Sequence, residues 1–146
     1  MNIVPFELSH LAQINLQERQ RRSISHLTIG YFQSLTEAGS SLSAEVDGRI
    51  IASAGLAVGF AGMGILWSAV GRGAGPHFVP LHRAARRLIE IQNMRRIEAA
   101  IECDFTNGSR WLEMLGFQRE GRMTAYGLDG EDFYLYALTA KRGLLN

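Results

Sequence analysis

The run Gly71-Arg72-Gly73-Ala74-Gly75-Pro76 holds the densest chemical signal in the chain. Glycines let a backbone approach a ligand closely and turn its N–H groups outward. The run follows an apolar stretch of strand length. It precedes a helix expected from about His77 to Ile91, whose positive dipole end adds to the attraction. That combination suits an anion such as a diphosphate. No Gly-Lys-Ser/Thr follows, so this is not a P-loop, and the third glycine of the dinucleotide fingerprint is missing. An ordinary glycine-rich connection is the competing reading.

A second group of residues can move protons. Glu98, Glu102 and Asp104 lie opposite Ile97 and Ile101 in a period-two pattern, on one face of a strand. A carboxylate there can act as a base or be plainly solvated. Tyr126, Tyr134 and Tyr136 offer phenols, although Tyr134 and Tyr136 share a strand face and packing explains them equally well. His77 and His82 flank the expected helix, where His77 can donate to a phosphate. Arg83, Arg86 and Arg87 could meet phosphate, but a solvated helix face is the default. Trp67 and Trp111 read as core, and Cys103 as a small buried apolar residue. No His, Asp or Glu cluster has metal-site spacing, and one cysteine excludes an internal disulfide or a Cys-based zinc site.

The elements that must carry these residues can be read in order. Asn2–Phe6 predicts an edge strand ended near Pro5. Ser9 can cap a helix from His10 that runs toward Arg22, with Leu8, Leu11 and Ile14 on one face. Ser23 can cap another, marked by Ile24, Leu27, Tyr31 and Leu35 and ended by Gly39. Residues 41–47 alternate, Asp47-Gly48 makes a two-residue hairpin turn, and residues 49–56 return. Residues 65–70 form a third strand. The helix after the glycine run buries Phe78, Leu81, Ala85 and Leu88, and Pro80 fits only near its start. Residues 96–103 alternate again, a short helix spans 108–115 and stops at Gly116, and a hairpin pairs 118–127 with 132–138 across Asp129-Gly130. The strand–loop–helix–strand crossover implies one parallel pair. The plan is mixed α/β.

Composition sets the bounds. The 146 residues are the length of one domain, 47% hydrophobic and 20% charged, so the chain can bury a core without staples. Fifteen Lys+Arg against fourteen Asp+Glu give a net charge of +1, which argues against nucleic acid. The opening Met1–Glu7 lacks a basic n-region followed by an apolar core, so no secretory signal is expected. The uncharged run from Ile50 to Gly71 is long enough to span a bilayer. Its glycines and its place after a hairpin turn favour two buried strands instead.

Taken in order, Arg72-Gly73-Ala74-Gly75-Pro76-His77 and the run from Asn107 to Leu115-Gly116-Phe117 resemble motifs of the GCN5-related N-acetyltransferases, the GNAT family. The family's Arg/Gln-x-x-Gly-x-Gly/Ala loop is matched at Arg72 and Gly75, with His77 where a small residue is usual. A narrower resemblance is to GNAT-like proteins of tailed phages and proviruses, through Arg96-Ile97-Glu98, Asp104-Phe105, Arg110-Trp111, Met114 to Phe117, Glu120-Gly121, and Tyr126 through Asp129-Gly130 to Tyr136. The family's usual tyrosine acid falls at Leu112 here, and its cofactor-contacting Asn at Phe105, two residues from Asn107.

The resemblance implies a single GNAT-like domain over 1–146. It would have a central, mostly antiparallel sheet of about seven strands flanked by four helices. It implies acetyl-CoA as cofactor, held by Val70, Arg72, Gly73, Ala74, Gly75, His77 and Asn107, with a backbone N–H near Ala69 or Val70 polarising the thioester. An amine acceptor, small molecule or protein, would attack directly, with Glu98, Glu102 and Tyr126 as acid–base candidates. The Gln- and Arg-rich segment Gln13–Arg22 would wall the acceptor site. The alternative is a catalytically degenerate phage accessory or virion protein that binds another phage protein or a second copy of itself. Either way a cytoplasmic location, the host's if phage-encoded, is expected, with no metal and no membrane segment.

Overall fold

The computed structural model describes residues 1–16, 18, 20–21, 33 and 39–140. Seven strands form one sheet: β1 (Asn2–Pro5), β2 (Gly39–Val46), β3 (Arg49–Phe60), β4 (Met63–Val70), β5 (Arg96–Glu102), β6 (Gln118–Met123) and β7 (Phe133–Thr139). Their spatial order is β1-β2-β3-β4-β5-β7-β6. Asp47 at φ 50 and Gly48 at φ 76 supply the two left-handed residues that the β2–β3 turn demands. Gly62, at φ 77, turns β3 into β4. The uncharged run from Ile50 to Gly71 is therefore a hairpin, buried along most of β3 but exposed at its tip, residues 58–61. Among the described residues no helix is long and apolar enough to cross a membrane.

All neighbouring strands are antiparallel except β4 and β5. Those two are joined by the expected crossover, a 3-10 turn over Arg72–His77 and a helix, α2, over Phe78–Ile91. Pro80 is tolerated because it is the third residue of α2, where its missing N–H has no partner in the helix. Two further helices are α1 (His10–Gln13) and α3 (Thr106–Met114). Gly116, at φ 98, ends the chain's run out of α3.

Three sequence expectations change. The helix drawn from His10 toward Arg22 is interrupted: α1 ends at Gln13, Ile14 is extended (φ −74, ψ 123), Leu16 bridges Gly71, and Glu18, Gln20 and Arg21 are helical again. Ile14 and Leu16 are both buried, beside Ile50 and Ala69, and that packing outweighs local helix propensity. The Ser9 side chain makes no capping bond. Gly39 opens β2, and a Cβ there would run into the Leu56 carbonyl. The last hairpin is also shorter than drawn, since β6 ends at Met123 and Asp129-Gly130 lie in the wide turn that follows. Of the helix expected after Ser23, only Gln33 is among the described residues, and it is helical.

Helices α2 and α3 cover one sheet face, where Leu56, Ile97, Ala99, Tyr136 and Leu138 meet Ile89, Leu112 and Phe117. Burying each large side chain contributes roughly 1.5–3 kcal/mol. Tyr136 is fully buried yet satisfied: its hydroxyl donates to Glu113 Oε1 at 2.9 Å and accepts from Arg119. On the other face, α1 is fixed by a buried polar chain. Ser53 Oγ lies 2.7 Å from Ser43 Oγ, which lies 2.7 Å from His10 Nδ1. The backbone N–H of Glu7 donates to the same ring nitrogen at 3.2 Å, which leaves Nδ1 as an acceptor.

Candidate active site

β4 and β5 pair only at Met63–Arg96, Gly64–Ile97 and Ile65–Glu98. Beyond Ile65 each strand stays with its other neighbour, β4 with β3 through Val70–Ala52 and β5 with β7 through Glu102–Phe133. The two therefore part like a V. The gap opens into a cleft of about 910 Å³, lined on its sheet side by Leu66 to Val70 and Ala99 to Glu102.

The glycine run forms one end of this cleft. Gly71, Arg72, Ala74 and Gly75 line it, beside Phe78 at the start of α2 and Asn107 and Gly108 at the start of α3. Two helix N-termini thus meet at one opening, with the side chains of Arg72 and Arg110 nearby. Fixed partial positive charge plus two guanidiniums suits a diphosphate. The amides are divided in their use. Gly71 N–H donates to Ile51 O, Arg72 N–H to Asn15 O, and Ala74 N–H to Gly71 O. Gly73 and Gly75 are exposed, and a Cβ on either would meet nothing within 4 Å, but only Gly75 lines the cleft; Gly73 lies outside it.

The remaining sequence candidates separate. His77 is half-buried, closes the 3-10 turn and does not line the cleft. Val70 does line it, and its backbone N–H donates to Gln20 Oε1 at 2.8 Å. Glu102 lines the cleft; Glu98 does not, and is bound to Arg96 at 2.9 Å. Tyr126 lies at the rim, 58% exposed, with its ring 5.2 Å from that of Phe133. Tyr134 and Tyr136 are outside the cleft. Leu112 and Phe105, where the family pattern has Tyr and Asn, both line it. His82 accepts the indole N–H of Trp111 at 3.1 Å; Phe78 stacks on His82 and lies tilted against Trp111, so these aromatics form a wall. Asp104 is exposed and does not line the cleft. Among the described residues no group of His, Cys, Asp or Glu could hold a metal ion.

Gln20 belongs to the Gln- and Arg-rich segment expected to wall the acceptor site, and it does line the cleft, reaching it from fifty positions before Val70. Asp129, expected in the hairpin turn and part of the narrower resemblance, lines it too, as does Glu131, which the sequence does not mark.

Neither a family model nor a curated protein matches the sequence. Solved structures do resemble the fold. The ribosomal-protein-S18-alanine N-acetyltransferase of Escherichia coli superposes with a TM-score of 0.70 at 17% identity, covering 94% of this chain and 92% of that one. A variant of the spermidine N-acetyltransferase of Vibrio cholerae gives 0.67 at 13%, covering 95% of each chain. RimJ of Mycobacterium smegmatis, in complex with CoA-disulfide, gives 0.65 at 19%, covering 95% of this chain and 81% of that one. At these identities the likeness is one of fold: the chain is built on the GNAT acetyltransferase fold.

Proposed function

We propose that this chain uses its GNAT fold as an acetyl-CoA-dependent N-acyltransferase. The observation that carries the reading is the V-shaped parting of β4 from β5, which opens a slot from the glycine run to the carboxylate of Glu102. The residues present fit the cofactor. Arg72, Ala74, Gly75 and Asn107, with the start of α2, would hold its diphosphate, and the apolar walls at Phe78, Leu112 and Trp111 would take its arm. Acetyl-CoA supplies an acyl group already activated as a thioester.

The chain's own residues then have three tasks. Positioning comes from the slot, which brings amine and thioester together. Polarisation of the carbonyl falls to the Val70 N–H. Glu102 takes the proton from the attacking amine, and Tyr126, at the rim, is the phenol able to return one to the departing sulfur. Leu112 has no proton to give, so this route runs without the usual tyrosine. The structural neighbours named for spermidine and for a ribosomal protein suggest small-molecule or protein amines as the acceptor class.

A second reading draws on the Gly71 and Arg72 amides, which are turned into the protein, and on Leu112. It is a degenerate scaffold, phage-type, that works by binding a partner protein in the host cytoplasm or the virion. Isothermal titration separates the two. Heat on adding acetyl-CoA supports the transferase, and none at millimolar cofactor removes it.

A further inference from the structure

Gln20 bonds the one backbone donor that the proposed reaction needs. Val70 ends β4, and Gly71 N–H, next along, turns back to Ile51 O in β3. Val70 N–H instead donates to Gln20 Oε1 at 2.8 Å, and both residues line the cleft. A carboxamide oxygen is an sp² acceptor much like a thioester oxygen, so the bond shows that this N–H is oriented to take an acyl carbonyl. It shows equally that the donor is already in use.

The bond is not incidental to a wandering side chain. The backbone leading to Gln20 is stitched to the glycine run at several points. Leu16 bridges Gly71, Arg72 N–H donates to Asn15 O at 2.8 Å, and Arg72 Nε donates to Leu16 O at 3.3 Å. Arg72 Nη2 also lies 3.8 Å from Glu18. The segment that delivers Gln20 is thus anchored on the same loop that would meet the diphosphate.

We propose that Gln20 is a built-in competitor for the acyl carbonyl, whose side-chain oxygen must leave the Val70 N–H before a thioester can be polarised there. The inference rests on the acetyltransferase reading. It makes Gln20 a selectivity element. Free CoA has no carbonyl at that point and binds without displacing it, whereas acetyl-CoA must win the donor.

The test is titration of wild type, Q20A and Q20E with acetyl-CoA and with CoA, each variant first checked by far-UV circular dichroism. In Q20A the preference for acetyl-CoA over CoA rises, on the order of five-fold for one recovered hydrogen bond. In Q20E the preference falls, because a carboxylate holds an N–H more tightly than an amide does. The carbonyl stretch of bound ¹³C-labelled acetyl-CoA moves lower in Q20A than in wild type. An unchanged preference in both variants, or a lower one in Q20A, overturns the inference while the transferase reading stands. Absence of binding by either nucleotide to wild type removes that reading and this inference together.

Discussion

Arg96 holds Glu98, its neighbour on the same strand face two residues along: its Nε donates to Glu98 Oε1 at 2.9 Å. The rest of the guanidinium grips Glu120 at 2.6 and 3.2 Å, so one arginine holds two carboxylates and ties β5 to β6 through Glu120. The hydrogen bond to Glu120, then that to Glu98, raises the arginine's pKa, and it stays charged at any working pH. Glu98 sits where β5 still pairs with Ile65 of β4; Glu102, four residues further along that face, sits where the strands have parted.

This contrast separates the two glutamates functionally. With any acceptor amine that turns over, Glu102→Gln is expected to lower kcat by about 10²–10⁴, the usual contribution of a general base. Glu98→Gln should leave kcat near the wild-type value. Steady-state rates of thiol release measure both, and equal losses in the two variants would remove Glu102 from the base role.

Two glycines of the loop should behave oppositely. A Cβ at Gly71 would lie 2.9 Å from Ile51 O and 3.2 Å from Ile14 Cγ2, against a backbone that cannot step aside. Gly71→Ala should cost about 1–3 kcal/mol of stability, as overpacking does. At Gly73 a Cβ meets nothing within 4 Å, so Gly73→Ala should stay within about 0.5 kcal/mol. Thermal melts of the pair decide it.

The polar chain under α1 makes a further prediction. Ser43 is 1% and Ser53 2% exposed, and Ser43 is the link between Ser53 and His10. Ser43→Ala strands Ser53 Oγ in a dry site and removes a bond from His10. A loss of about 1–3 kcal/mol in denaturant unfolding is expected. A neutral result would mean that water takes the place of the lost hydroxyl.

The wide turn between β6 and β7 should be sensitive to acid. Asp132 accepts the Ala125 N–H at 2.9 Å through Oδ1 and Arg122 Nε at 2.9 Å through Oδ2. These bonds, the backbone one first, hold its carboxyl below the ordinary value of 3.8. A carboxyl lowered in the folded state stabilises that state above the ordinary value. The contribution disappears as pH falls through the lowered one. Hydrogen exchange at Ala125 should therefore be slow and steady from neutral pH down to about 4 and quicken in stronger acid. Asp132→Asn should exchange faster at neutral pH and lose that acid step.

Much of the scaffold was legible without coordinates because its signals are local. Alternation between Leu42 and Val46, left-handed Asp47-Gly48, the apolar stripe through Leu81 and Leu88, and Gly116 after Leu115 each act over a few residues. Each fixes one element whatever surrounds it. The crossover after β4 followed from chain order alone, and with it the parallel pair. Where a local rule met distant packing, the local rule lost. Ile14 and Leu16 left the helix begun at His10 because Ile50 and Ala69 offered them a buried site.

The sequence by itself determined which strands exist, which residues alternate and where a glycine run meets a helix. Only the tertiary structure decided that β4 and β5 separate after Ile65, that Glu98 is claimed by Arg96 while Glu102 faces the gap, and that Gln20 lands on the Val70 N–H. The reason is physical. Period and turn chemistry are properties of neighbours along the chain. The ownership of a hydrogen-bond donor is settled among groups fifty residues apart, by whichever acceptor the packed backbone brings within 3 Å.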